Sequence, residues 1–252
     1  MLPIGDDNSD RTLTPVVNYL LILVNVLVFV LFQGLGSNER FTYAFSTVPE
    51  EIVTGRDVAE QVTIKDPVSG NVAGTVQLEP TPIPVYLTLI TSMFMHGGIA
   101  HIFGNMLYLW IFGDNVENTL GHLRYLIFYL VCGVLAGLSH VFSTVAFGGN
   151  PYLPSLGASG AISGVLAGYL VLFPSRRVRV IIFRTIQDVT AIWAIGIWFA
   201  FQLISGLGML GSKSQEGGVA YAAHIGGFIA GLVLVKFFAA GKPRYRFGEG
   251  PA

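Results

Sequence analysis

Charge is what this chain has least of. Only 12% of its 252 residues are Asp, Glu, Lys or Arg, against 52% hydrophobic ones, where a soluble domain carries about 25% charged residues. That shortage, together with long uncharged runs, excludes an ordinary soluble globular protein and points to a lipid bilayer. A formal net charge of -1 argues against a nucleic-acid partner, although the charges are unevenly distributed. The single cysteine, Cys132, excludes an intrachain disulfide, and its apolar surroundings fit a buried filler. A cleavable leader is also not evident. The first apolar run follows Pro15 behind Asp6, Asp7 and Asp10 rather than behind basic residues, and lacks a small-residue cleavage site. The same acidic stretch argues against a mitochondrial transit peptide.

What is abundant is apolar sequence and glycine, of which there are 31, a number suited to membrane helices packed backbone to backbone. A span needs roughly 20 apolar residues, and six candidates run over about 15–33, 98–113, 123–146, 158–173, 187–208 and 219–239. The expected fold is therefore an all-α membrane protein, a bundle of six transmembrane helices over residues 15–240. Tails 1–14 and 241–252 flank it. The second and fourth candidates are short, which suits central helices beside a local water pocket.

Basic residues orient the bundle. Arg176, Arg177, Arg179 and Arg184 follow the fourth span, and Lys236, Lys242, Arg244 and Arg246 mark the C-terminus. Both groups fall on one face and read as cytoplasmic. The opposite loops, 34–97, 147–157 and 209–218, hold only Arg40, Arg56, Lys65 and Lys213. The predicted topology is N-in, C-in. In the long first outer loop, β-formers on either side of 66–71 suggest a small exposed hairpin within an insert of about 54–80; an irregular surface insert is the competing reading. Pro80, Pro82 and Pro84 then form a stiff extended approach to the second span.

With this topology, polar residues scattered along the chain gather at one depth. His96, His101 and Asn105 come at the start of the second span, Ser159 at the start of the fourth, and His224 in the first turns of the sixth. All three spans run outside to inside, so these groups share the outer half of the membrane. Polar and ionisable residues there are costly and usually mark function. Gly160, Gly164 and Gly168 repeat every four residues on one helix, and Gly227 and Gly231 on another. Such faces allow close approach, enough to bring Ser159 and His224 within reach.

A serine hydroxyl needs an adjacent base, and His224 is the evident one. No carboxylate lies at the right depth: Asp114, Glu117 and Asp188 fall near the inner ends of helices and Glu216 in an outer loop. A Ser159–His224 dyad is thus preferred to a triad. His101 and Asn105, four apart on one helical face, could donate to an oxyanion with the backbone N–H of Ser159. Gly157 and His96 support the site. The Gly-x-Ser-x-Gly elbow of soluble hydrolases is absent, because position 161 is alanine. Zinc is a weaker rival, since no His-Glu-x-x-His occurs, and His122 and His140 take interfacial roles. No metal or cofactor is expected. A small-solute channel or transporter would need a complete polar path, and the inner halves of the spans are almost wholly apolar.

The sequence resembles the rhomboid family of intramembrane serine proteases. The likeness rests on His96-x4-His101-x3-Asn105, the run Gly113-Asp114-Asn115-Val116-Glu117, Gly157-Ala158-Ser159-Gly160, and Ala223-His224 followed by Gly227 and Gly231. It implies a six-helix core that cleaves transmembrane proteins near their outer boundary. Ser159 would be the nucleophile, His224 the general base, and His101 and Asn105 the oxyanion donors. Partners would be transmembrane substrates and membrane lipid. A catalytically silent client-binding relative is the alternative. Two departures stand out: the first outer loop has no tryptophan, and Ser163 stands where many family members carry a tyrosine that stacks on the catalytic histidine. Phe94 or Tyr221 is expected to orient the ring instead. The short tails point to a bacterial plasma membrane, with the site toward its outer face.

Overall fold

A computed structural model of the chain describes residues 1–65, 72–211 and 221–241. A short strand β1 (Leu2–Asp6) precedes α1 (Val16–Leu27), which continues as a π turn over Val28–Phe32. Short helices α2 (Glu39–Ala44) and α3 (Pro49–Thr54) lead to strands β2 (Gln61–Lys65) and β3 (Val72–Gln77), then to a helical segment Val85–Phe94 that contains α4 (Thr88–Thr91). The remaining elements are α5 (Ile99–Leu120), α6 (His122–Ala146), α7 (Ser159–Leu172), β4 (Arg177–Ile182), β5 (Thr185–Thr190), α8 (Ala191–Gly211) and α9 (Tyr221–Phe238). The turn 66–71, Lys213, Glu216, and the basic residues Lys242, Arg244 and Arg246 lie outside the described residues.

Among the described residues, α6 and α9 are each long and apolar enough to cross a membrane. Val85–Phe94 and α5 qualify together as a pair bent by 82°, while Val16–Phe32, Ser159–Leu172 and Ala191–Leu207 are shorter apolar helices. Their outward faces stay apolar: Phe103, Phe142, Trp193, Phe201 and Phe237 are all exposed. For a chain surrounded by lipid, such surface is compatible with its solvent.

Glycine brings α6, α7 and α9 together. A Cβ on Gly227 or Gly231 would fall on the backbone carbonyl of Gly160 or Gly164, and one on Gly164 would meet Cys132 Cβ at 2.5 Å. Any side chain larger than hydrogen would force these helices apart. Cys132 is fully buried in this seam, the filler its apolar setting predicts.

At the end of α7 away from Ser159, the structure departs from the sequence reading. The arginine-bearing loop is a hairpin, β4–β5, and residues expected as an acidic tail contribute β1, giving a three-stranded antiparallel sheet in the order β1-β4-β5. Asp188 lies in β5 rather than at a helix end, and it pairs with Arg179 at 3.2 Å. Val178 and Val180 are fully buried under the sheet. α8 begins at Ala191, after the strand, not at 187.

The helix expected over 98–113 is also longer. α5 continues seven residues further because its polar end is satisfied inside the protein. Glu117 accepts hydrogen bonds from the backbone N–H of Val17 at 3.0 Å and Asn18 at 2.7 Å. It thereby caps the first turn of α1, whose own N-cap, Pro15, supplies no side-chain acceptor. Arg11 donates to Asp114 at 2.5 Å. Asn115 donates to Asp6 at 2.8 Å, as Tyr169 O–H does at 2.5 Å. Arg176, 2% exposed, donates to Asn115 Oδ1 at 2.5 Å and the Asp7 carbonyl at 3.1 Å, and pairs with Asp10. Burial is the largest influence on Asp6 and pushes its carboxyl up to about 7, with the Tyr169 hydrogen bond opposing it.

Candidate active site

Gly157 opens the turn into α7 with φ of +118°, a region that favours glycine. Its N–H donates to the Ser92 carbonyl at 2.8 Å, tying the turn to the segment before α5. Ser159 is the first residue of α7, so its backbone N–H has no intrahelical partner. From α9, His224 places Nε2 2.7 Å from Ser159 Oγ. The glycine seam one turn deeper explains how a serine and a histidine 65 residues apart meet.

α5 supplies the next pair. The Gly97 N–H donates to His101 Nδ1 at 3.3 Å. A backbone N–H only donates, so Nδ1 is the acceptor and Nε2 carries the proton of the neutral ring. A Cβ on Gly157 would lie 2.9 Å from His101 Nε2, so glycine there leaves that N–H open toward the serine. Asn105, one turn further along, is buried, and its Nδ2 has no protein partner among the described residues. A buried amide donor without a partner requires an explanation. Ser159, His224, His101 and Asn105 line one cavity of about 490 Å³.

His96 lies behind this set rather than in it. Its backbone is gripped on both sides by the Gln33 amide, at 3.0 Å and 2.9 Å, and its fully buried ring meets His101 edge-on at 5.1 Å. The supporting glycines act at two places. Gly157 clears His101, while Gly160, Gly227 and Gly231 clear the α7–α9 seam. Ser163 does not line the cavity and donates to the Ser159 carbonyl at 2.7 Å. Of the ring partners predicted from sequence, Tyr221 meets His224 edge-on at 6.5 Å, whereas Phe94 packs against the hydrophobic core. Two further contacts lie outside the sequence expectations. Trp198 stands 6.1 Å from the His224 ring, and the Gln202 side chain reaches His224 Nδ1 at 2.7 Å. A lone amide in the otherwise apolar run 191–204 is the signal that could have found Gln202. His140 and His122 stand outside the cavity lining, and His122 bonds Glu117 at 2.5 Å.

Known proteins share sequence with this chain. The family model described as "Rhomboid domain" matches residues 84–241, which include every cavity residue named above. The Bacillus subtilis "Rhomboid protease GluP" is 38% identical over 154 residues, 60% of this chain and 25% of that protein. The human "Presenilin-associated rhomboid-like protein, mitochondrial" is 35% identical over 149 residues, 59% of this chain and 37% of the relative. The Saccharomyces cerevisiae "Rhomboid protein 1, mitochondrial" is 30% identical over 151 residues, 58% of this chain and 40% of the relative. The chain thus matches well under half the length of each of these relatives. The family match takes in more than half of the chain's own residues, and the protein belongs to the rhomboid family.

Proposed function

We propose that the protein is an intramembrane serine endopeptidase that hydrolyses peptide bonds in or beside transmembrane segments of other membrane proteins. The observation that carries this reading is the 2.7 Å approach of Ser159 Oγ to His224 Nε2 inside one cavity that His101 and Asn105 also line. In the reaction, Ser159 Oγ attacks the scissile carbonyl carbon while its proton passes to His224 Nε2. The carbonyl oxygen becomes an oxyanion, and the N–H groups of His101 Nε2, Asn105 Nδ2 and the Ser159 backbone receive it. Each such donor contributes about 10²–10³ in turnover. As the intermediate collapses, the C–N bond breaks and the amine leaves with the proton held by His224. A water then gives a proton to His224 and attacks the acyl-enzyme, and the second collapse returns that proton to Ser159. No carboxylate lines the cavity among the described residues, which supports a dyad.

The bundle has six spans in this reading, with both termini inside and the serine toward the outer face. α1, α5, α6, α7, α8 and α9 supply the spans. At about 1.5 Å per residue, the 14 residues of α7 extend roughly 21 Å, less than a hydrocarbon core of about 30 Å. A short central helix leaves room for water above Ser159, which hydrolysis requires. The hairpin built on β2 and β3 lies in the outer loop in this topology; the strands pair antiparallel from Gln61 with Gln77 to Lys65 with Val72. Mitochondrial and bacterial relatives both match this chain, so likeness supports a membrane without singling out one organelle.

The test is cleavage of a single-span membrane substrate by the purified protein in liposomes, beside Ser159→Ala and His224→Ala. Cleavage by wild type alone is the expected result. Cleavage that survives both substitutions would reject the dyad, and a wild type inert toward several substrates would favour the silent, client-binding alternative.

A further inference from the structure

An imidazole base works only from one of its two neutral forms. If Nε2 of His224 is to take the Ser159 proton, Nε2 must be bare and the ring proton must sit on Nδ1. Nothing in the Ser159–His224 contact enforces this, because a hydroxyl both donates and accepts. Trp198 and Tyr221 border the ring at 6.1 Å and 6.5 Å, but their aromatic surfaces do not tell one nitrogen from the other. The Gln202 amide does. Its Oε1 stands 2.7 Å from His224 Nδ1, and an amide oxygen only accepts. Nδ1–H therefore donates to Gln202, which leaves the Nε2 lone pair facing Ser159 Oγ at 2.7 Å. The opposite amide orientation would reverse both bonds and place a proton on Nε2, the unproductive form.

We infer that Gln202 is a positioning residue which α8 delivers to His224, holding the imidazole in the Nδ1–H tautomer that a base for Ser159 requires. The inference rests on the dyad reading given above. An amide serves the same end in Cys-His-Asn proteases, so a carboxylate is not needed. Its location adds a consequence. Ser159 and His224 stand on the tightly packed α7 and α9, whereas Gln202 comes from α8, on the wall of a second cavity of about 300 Å³ that Tyr108 and Trp198 also border. Tyr108 and Trp198 line the catalytic cavity as well, so Gln202 stands where the two spaces adjoin. A shift of α8 by about 1 Å takes the 2.7 Å contact past hydrogen-bond range. The competence of the base thereby depends on where α8 stands.

The test uses the whole protein in liposomes with 15N-labelled histidine, wild type beside Gln202→Leu and Gln202→Glu, with His224→Ala identifying the His224 signals among five histidines. Wild type is expected to show His224 protonated at Nδ1, and Gln202→Leu a mixture of tautomers. Gln202→Leu should lower kcat by about 10–100-fold with KM nearly unchanged, a smaller loss than the ~10⁴ seen when a triad carboxylate is replaced. Gln202→Glu, which still accepts from Nδ1, should restore kcat to within a few-fold. A wild-type ring protonated at Nε2, or a Gln202→Leu protein with unchanged tautomer and kcat, would overturn the assignment. So would a Gln202→Glu protein as slow as Gln202→Leu. If wild-type protein neither cleaves nor labels at Ser159 with a fluorophosphonate, the protease reading fails instead, and the nitrogen spectrum still decides the tautomer.

Discussion

Replacing Gly227 with alanine should disable the proposed cleavage without touching a reacting group. The added Cβ would meet the Gly160 carbonyl oxygen far inside contact distance, and would lie 3.0 Å from that carbonyl carbon and 3.2 Å from Ala136 Cβ. The obstacle is backbone, which cannot swing aside like a flexible side chain. Relief requires α7 and α9 to part by about 1 Å to restore ordinary contact. Gly160 follows Ser159 directly, and Gly227 lies one turn beyond His224. The parting therefore reaches Ser159 and His224 and stretches 2.7 Å to about 3.7 Å, which is no longer a hydrogen bond. Overpacking of this kind costs about 1–3 kcal/mol in stability, and a 1 Å misplacement of reacting groups costs about 10²-fold in rate. Cleavage kinetics in liposomes, with thermal unfolding alongside, should show kcat down about a hundredfold and a modest fall in Tm. Gly196→Ala on α8 is the control, because its Cβ would meet nothing within 4 Å. A Gly227→Ala protein that cleaves at the wild-type rate would refute the idea that the glycine seam sets the dyad distance.

Gly157→Ala combines a strained φ of +118° with a Cβ 2.9 Å from His101 Nε2. It should cost about as much as one oxyanion donor, roughly 10²–10³ in kcat, and unchanged kinetics would remove His101 from the proposed hole. Asp6 has a carboxyl raised by burial from 3.8 to about 7, so its contribution favours the docked strand most when protonated, below about pH 4. That contribution is lost as pH rises toward and through about 7. Amide exchange over residues 2–6 should therefore quicken across this window, after correction for intrinsic rates, and Asp6→Asn should flatten the change; an identical profile in the variant would exclude Asp6 as its source. Arg176→Met removes the buried cation that holds Asp10 and the Asp7 carbonyl. The loss should approach about 3 kcal/mol, the low end for a broken buried pair because Asp10 is partly exposed. Tryptic cleavage at Arg11 should become faster, and no change would show that β1 docks without Arg176.

The site was more legible in the sequence than the scaffold at its far end, for physical reasons. Ser159, His224, His101 and Asn105 are polar groups in apolar helices, where a desolvated group stands out and a depth can be assigned to each. Gln202 carries the same signal, but a missing tyrosine points toward another aromatic as its substitute, not toward an amide on α8. The sheet was hidden for other reasons. β1 is five residues long and contains Pro3 and Gly5, both poor strand formers. Arg177 to Ile182 does alternate in the period of a strand, with Val178 and Val180 buried, yet arginines beside a span are first of all markers of the inner face. Span two ends at Gly113 by hydropathy because Asp114 and Glu117 follow it. Hydropathy cannot register that Arg11 and the first turn of α1 satisfy those carboxylates from a distant part of the chain.

The proposed activation of Ser159 by His224 can be interrogated without knowing any natural substrate. The 252-residue chain in liposomes would be treated with a fluorophosphonate and digested, and the adduct located by mass spectrometry. One phosphonylated residue, Ser159, is expected, with labelling abolished by His224→Ala. Labelling of Ser159 that proceeds equally well without His224, or a probe that settles on another serine, would contradict the dyad.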